Sequence, residues 1–198
     1  MRVRQLSLGI VLLTIGLMPP VHAQQAAQAP PLRTPDVIFV PTPPEVVDAM
    51  LKVAEVSSSD VVYDLGCGDG IIVATAAQKF GATAVGIDID PQRVKEATDR
   101  IQKANVTDKV KILNQDLFTT DISEATVVTL YLLPSLNQKL IPKLNKELKP
   151  GTRVVSHAFD MGIDGILRAP RETRNVNGRT VYMWTTPILP EPSPASLR

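Results

Sequence analysis

The string Tyr63-Asp64-Leu65-Gly66-Cys67-Gly68-Asp69-Gly70 sets three alternate glycines among two carboxylates. Glycines let a backbone turn sharply and approach a ligand where any Cβ would clash. An apolar run, Val61 to Leu65, leads into the string, and Ile71 to Phe80 reads as a helix after it. A second apolar run ends in an acid, Val85-Gly86-Ile87-Asp88, about 20 residues further on. Strand, glycine turn, helix, strand, acid is the setting of a nucleotide-type pocket. The pyrophosphate fingerprint G-x-G-x-x-G needs glycine where Ile71 stands, and no Gly-Lys-Ser/Thr follows, which excludes a phosphate-cradling P-loop.

Charge narrows the ligand. Asp64 and Asp69 put negative charge beside the loop, which repels a diphosphate and suits a ligand bearing an ammonium and a sulfonium. S-adenosylmethionine (SAM) has that pattern and NAD does not. Gly66, Gly68 and Gly70 would shape the loop around it, with Asp64 beside them. Asp88, at the end of its strand, is placed to accept both ribose hydroxyls, the alternative being a polar loop residue. Asp90 precedes Pro91 and reads as a helix N-cap. Asp116, with Leu117 beside it, follows another apolar run; it could accept from an adenine amino group or be an ordinary turn acid. Cys67 reads as a filler between glycines, not a nucleophile.

These residues need elements to hold them. Thr42-Pro43-Pro44-Glu45 reads as a capping box, and Val46, Val47, Met50, Leu51 and Ala54 recur at helical spacing after it. Thr83 to Ile89 reads as a second strand, followed by a helix with Val94, Ala97 and Ile101 on its inner face. Val110 to Leu113 and Ala125 to Leu130 are further short strands. Leu136, Leu140, Ile141, Leu144 and Leu148 mark a helix that Pro142 should kink or split. Thr152 to Ser156 is a fifth strand, and Arg171 to Val176 and Thr180 to Thr185 flank Asn177-Gly178, a hairpin signal. Repeated β-α units predict an α/β fold: a mainly parallel twisted sheet with helices on both faces and a C-terminal antiparallel hairpin. Ligands in such sheets sit at the carboxyl ends of the strands.

The 198 residues are 44% hydrophobic, with Lys+Arg 21 against Asp+Glu 20. That composition excludes a disordered or collagen-like chain and carries no basic stripe for nucleic acid. One cysteine excludes an internal disulfide. Residues 1–23 read as a signal peptide: Arg2 and Arg4, then an apolar stretch from Leu6 to Met18, then Val21-His22-Ala23 before a cut. An uncleaved short membrane anchor is the alternative. Residues 24–36 read as a flexible linker, 37–186 as the working domain and 187–198 as a loose Pro-rich tail. The expected location is exported, periplasmic or membrane-associated.

The glycine string with Gly86-Ile87-Asp88-Ile89-Asp90 resembles motif I and its successor in class I SAM-dependent methyltransferases, which have a Rossmann-like fold. Phe39-Val40-Pro41-Thr42-Pro43, Leu130-Tyr131-Leu132-Leu133-Pro134 and Val154-Val155-Ser156-His157 bring it nearer to the ATP synthase c-subunit lysine methyltransferase family and its bacterial relatives. The resemblance spans about Phe39 to Thr185. It implies SAM as cofactor and methyl transfer to a lysine of a protein, with a membrane-protein lysine within that class. The Asn-Pro-Pro-Tyr string of many amide and base N-methyltransferases is absent.

On the acceptor side, a lysine must lose its proton before it attacks, through desolvation or a general base. Tyr131 is the candidate for lining the acceptor channel; otherwise it is a half-buried tyrosine with a satisfied hydroxyl. His157, the only histidine beyond the signal segment, falls at a strand end where an ordinary pKa would suit proton removal; otherwise it is structural. Asp160 and Thr42 are weaker candidates. Lys139, Lys143, Lys146 and Lys149 read as a solvated helix face. A small-molecule or lipid-headgroup methyltransferase, and an exported nucleoside-binding module without turnover, are the rival functions.

Overall fold

Five short apolar runs become parallel strands because each is joined to the next through a long connection, not a tight turn. In this computed structural model, which describes residues 32–162 and 169–188, they are β1 (Val61–Leu65), β2 (Thr83–Asp88), β3 (Val110–Asn114), β4 (Val127–Leu130) and β5 (Arg153–His157). Asn177 and Gly178 both take positive φ, 50° and 80°, and fold β6 (Glu172–Val176) back on β7 (Arg179–Thr185). The seven strands form one sheet in the order β3-β2-β1-β4-β5-β7-β6, with β7 antiparallel to β5 and to β6.

The chain steps outward from β1 to β3, then returns to the other side of β1 with β4. Connections therefore diverge between β1 and β4, and a crevice opens at their carboxyl ends. Register sets what meets there. Asp64 lies opposite Thr129, Leu65 opposite Leu130, and Leu130 opposite Ser156, so Tyr131 and His157 leave the sheet side by side.

Helix α1 (Pro44–Val53) and helix α2 (Ile71–Phe80) cover one face, packing Val46, Met50, Leu51, Val73 and Ala76 on Val62, Val127 and Val155. Helix α4 (Pro134–Glu147) covers the other, with Leu140, Ile141 and Leu144 on Leu65, Val128 and Leu130. Helix α3 (Pro91–Lys103) adds Ile101 to the first face. Helices on both faces and a terminal hairpin match the α/β expectation.

Four expectations change. Thr42 does not cap α1: the residue before a proline is pushed out of helical conformation, so Pro43, ahead of Pro44, becomes the extended N-cap and its carbonyl accepts from Val46 and Val47. Helix α4 runs through Pro142 as one element, because one missing N–H costs less than losing the burial of Leu140, Ile141 and Leu144. Arg33, read as linker, is tied to the domain by an ion pair to Asp116 at 2.6 Å, although residues 33–36 stay exposed. Ile188, read as part of a loose tail, is fully buried, and its N–H donates to Asn145 Oδ1 at 2.8 Å. Residues 1–23, expected to be a signal peptide, most of the expected linker and the tail from residue 189 lie outside the described residues. No helix among the described residues is long and apolar enough to cross a membrane.

Candidate functional site

The crevice is a cleft of about 880 Å³, counting its open mouth. Its floor is Asp64, 3% exposed. Thr129 Oγ1 donates to Asp64 Oδ1 at 2.7 Å, a pairing that the β1–β4 register dictates. Burial pushes the Asp64 carboxyl up to about 7, with Asp88 and Asp69 adding to the rise against the Thr129 hydrogen bond. Among the described residues no cation pairs with Asp64 or Asp88. A buried carboxylate without a partner cation is a group that a cationic ligand would satisfy.

Asp88 holds the glycine loop from the next strand. Its Oδ2 accepts from Gly68 N at 2.8 Å and its Oδ1 from Asp90 N at 2.9 Å, so the acid faces the cleft in a fixed orientation. Asp90 caps α3 as expected, accepting from Gln92 N at 2.8 Å. Gly66 and Gly68 line the cleft. Gly70 does not: it serves packing, since a Cβ there would lie 2.9 Å from Ala97 Cβ. Asp69 is not an unpaired carboxylate, because Arg100 of α3 pairs with it. Cys67 fills the space against Gly86, and burial first, then Asp64 and Asp88, raises its thiol well above the ordinary value. That disfavours the nucleophilic thiolate.

One wall comes from the segment before α1. Phe39 lies on the loop where a Gly68 Cβ would collide with its ring, and Arg93 stacks over that ring at 4.8 Å. Leu117 lines the cleft, but Asp116 does not. Arg33 Nε and Phe118 N already donate to the Asp116 carboxylate, at 2.6 and 2.9 Å, and the Arg33 hydrogen bond lowers its pKa. An adenine role for Asp116 would require Arg33 to withdraw.

The acceptor side gathers Tyr131, Thr42 and His157. Tyr131 and Thr42 line the cleft. His157 lies behind, fully buried, its ring 3.9 Å from that of Tyr131 and its Nδ1 3.4 Å from Thr42 Oγ1. Burial, aided by Arg179, lowers its pKa to about 4. This corrects the expectation of an ordinary pKa: His157 is neutral at pH 7 and too weak a base to draw a proton from an ammonium. Asp160 is exposed and accepts from Gly162 N within its own loop. Nor are the α4 lysines one solvated face. Lys143 is 10% exposed and clamps Glu147 and the Thr120 carbonyl, and Lys139 sits 4.1 Å over the Phe118 ring.

Sequence reasoning misses Thr129, Arg100, Arg93 and Arg33. Thr129 carries a signal, as a lone polar residue inside the apolar run Val127–Leu130. The three arginines carry none, since Asp69, Phe39 and Asp116, the site residues they meet, are distant in sequence.

Comparison with known proteins agrees with this geometry. Residues 64–163 match the ANTKMT methyltransferase domain. A protein-lysine N-methyltransferase of Saccharolobus islandicus is 55% identical over 152 residues, covering 76% of this chain and 94% of that one. The human lysine N-methyltransferase of the ATP synthase c-subunit is 32% identical over 130 residues, 66% of this chain and 55% of that one. A crystal structure of an RNA methyltransferase from Salinibacter ruber with S-adenosyl-L-homocysteine (SAH) has 55% identity and a TM-score of 0.72, covering 80% of this chain and 99% of that one.

Proposed function

We propose, from the premise that this chain belongs to the ANTKMT methyltransferase family and is a SAM-dependent methyltransferase, that its acceptor is the side-chain amine of a protein lysine. The observation that carries the acceptor is the 55% identity to a protein-lysine N-methyltransferase along nearly that relative's whole length. The cleft fits the chemistry. Asp64 offers a buried carboxylate to the ammonium of SAM, Asp88 offers lone pairs to the ribose, and Leu117 gives an apolar wall. When bound, SAM supplies a methyl group on a sulfonium that leaves as a neutral thioether.

The remaining work falls to this chain's own side chains. Tyr131, Leu132 and Leu136 line the cleft, and this largely apolar wall disfavours the charged form of an entering amine, which sheds its proton to water. Tyr131 is held by the His157 ring behind it and by Phe159, at 6.3 Å, so it aligns the amine with little reorganisation. His157 contributes position and no proton transfer.

RNA is the second reading, because the Salinibacter ruber neighbour is described as an RNA methyltransferase. Near-neutral charge and 4% aromatic content speak against it here, since phosphate tracking needs a basic surface and bases need stacking rings. The test is labelled SAM with protein and RNA fractions together, followed by hydrolysis. Label in methyllysine is the expected result; label in nucleosides would replace the reading. Export is a second proposal, resting on the Arg2-to-Ala23 pattern. A mature chain beginning at Gln24 is expected, and an intact Met1 on the purified protein would refute cleavage.

A further inference from the structure

We infer that Arg100 is a positioning residue for the cofactor: by gripping Asp69 from behind, it fixes the glycine loop and offsets part of that carboxylate's charge at the cleft. Arg100 Nε donates to the Asp69 carbonyl at 2.8 Å, and its guanidinium pairs with Asp69 Oδ2. Asp69 Oδ1 meanwhile accepts from Ile71 N at 3.2 Å, closing the turn into α2. The residue is thus tied at its carbonyl and at both carboxylate oxygens.

Those ties matter because of what flanks Asp69. Gly68 and Gly70 take φ of 53° and 77°, so the segment has little conformational preference of its own and must be held from outside. Asp88 holds the Gly68 side. Arg100 holds the Asp69 side, and Ala97, one turn earlier on α3, abuts Gly70 and sets the helix-to-loop distance. Arg100 itself lies in the groove between α2 and α3, outside the cleft, so it acts through Asp69 and touches no ligand. Among the described residues of the cleft, Asp64 and Asp88 are then the carboxylates without a partner cation. Lysine cannot substitute fully, because only the planar guanidinium reaches the carbonyl and the carboxylate together.

The test compares the full protein with Arg100→Lys, Arg100→Ala, Asp69→Asn and the Asp69→Asn/Arg100→Ala double variant. It reads SAH and SAM affinity by calorimetry, KM and kcat, and melting temperature. Arg100→Ala is expected to weaken both ligands and raise the KM for SAM about tenfold, with kcat at saturating SAM within about twofold. Arg100→Lys should recover part of the loss and keeps the test alive if the alanine variant does not fold. The double variant should be no worse than Arg100→Ala alone. A lowered melting temperature with unchanged SAH affinity would reduce Arg100 to a structural ion pair, and independent, additive losses would show that it does not act through Asp69. SAH binding needs no acceptor, so a failed lysine assignment would leave this outcome unaffected.

Discussion

Asp64 is a carboxyl group kept where water cannot solvate its charge, and that cost should register in stability. It titrates near 7 in the folded chain, against an ordinary 3.8, so the folded state holds the extra proton between those values. Its contribution to stability therefore falls as pH rises through that window, and the deficit is complete above 7. Asp64→Asn is expected to raise the melting temperature of the ligand-free protein at pH 8 by a few degrees, about what a loss of 1 kcal/mol of strain would give. A differential scan at pH 5 and pH 8 checks it, with the smaller gain at pH 5. At Tyr131 the ring should matter more than the hydroxyl. Tyr131→Phe is expected to keep most of kcat, while Tyr131→Ala should lose on the order of 10²-fold, read in single-turnover kinetics. Because His157 is neutral down to about pH 4, no kinetic pKa near 6.5 should arise from it, and the rate profile of His157→Gln should keep its shape.

Elements place these residues, and they do so through packing that the sequence only partly announces. The β1 run and α2 are legible because each has its own period and a clear stop, glycine in both cases. The α1 start is misread when a capping-box pattern is weighed without the effect of Pro44 on Pro43. Long-range ties leave no pattern at all: Arg153 Nη1 donates to the Ala54 carbonyl at 2.6 Å, and its guanidinium pairs with Asp60, 93 residues away. Desolvation works against the Asp60 charge, yet hydrogen bonds from Thr126, Ser57 N and Arg153 hold its carboxyl below the ordinary value. Stability from this group is thus present above the ordinary carboxylate pKa and lost as pH falls through the lower folded value. Asp60→Ala, which strands Arg153, is expected to cost about 3 kcal/mol by urea unfolding with SAH affinity at neutral pH unchanged.

Across the whole molecule, one end of the sheet carries stability and the other carries chemistry, and the segment before α1 closes the chemical end. Read alone, residues 24–36 look like a tether, since proline and alanine carry no period. The tie from Arg33 depends on Asp116, which only the fold brings near it. Phe39→Ala should open that wall and speed both binding and release of SAH, measured by stopped-flow fluorescence. What joins the three scales is the claim that a buried, unpaired carboxylate at the β1–β4 crevice recognises a cation. The most direct measurement is SAM affinity from pH 6 to pH 8 for the unaltered protein and Asp64→Asn. The account predicts affinity that climbs as Asp64 ionises near pH 7 in the former, and weak, flat binding in the variant. Equal, pH-independent affinity in both would contradict it.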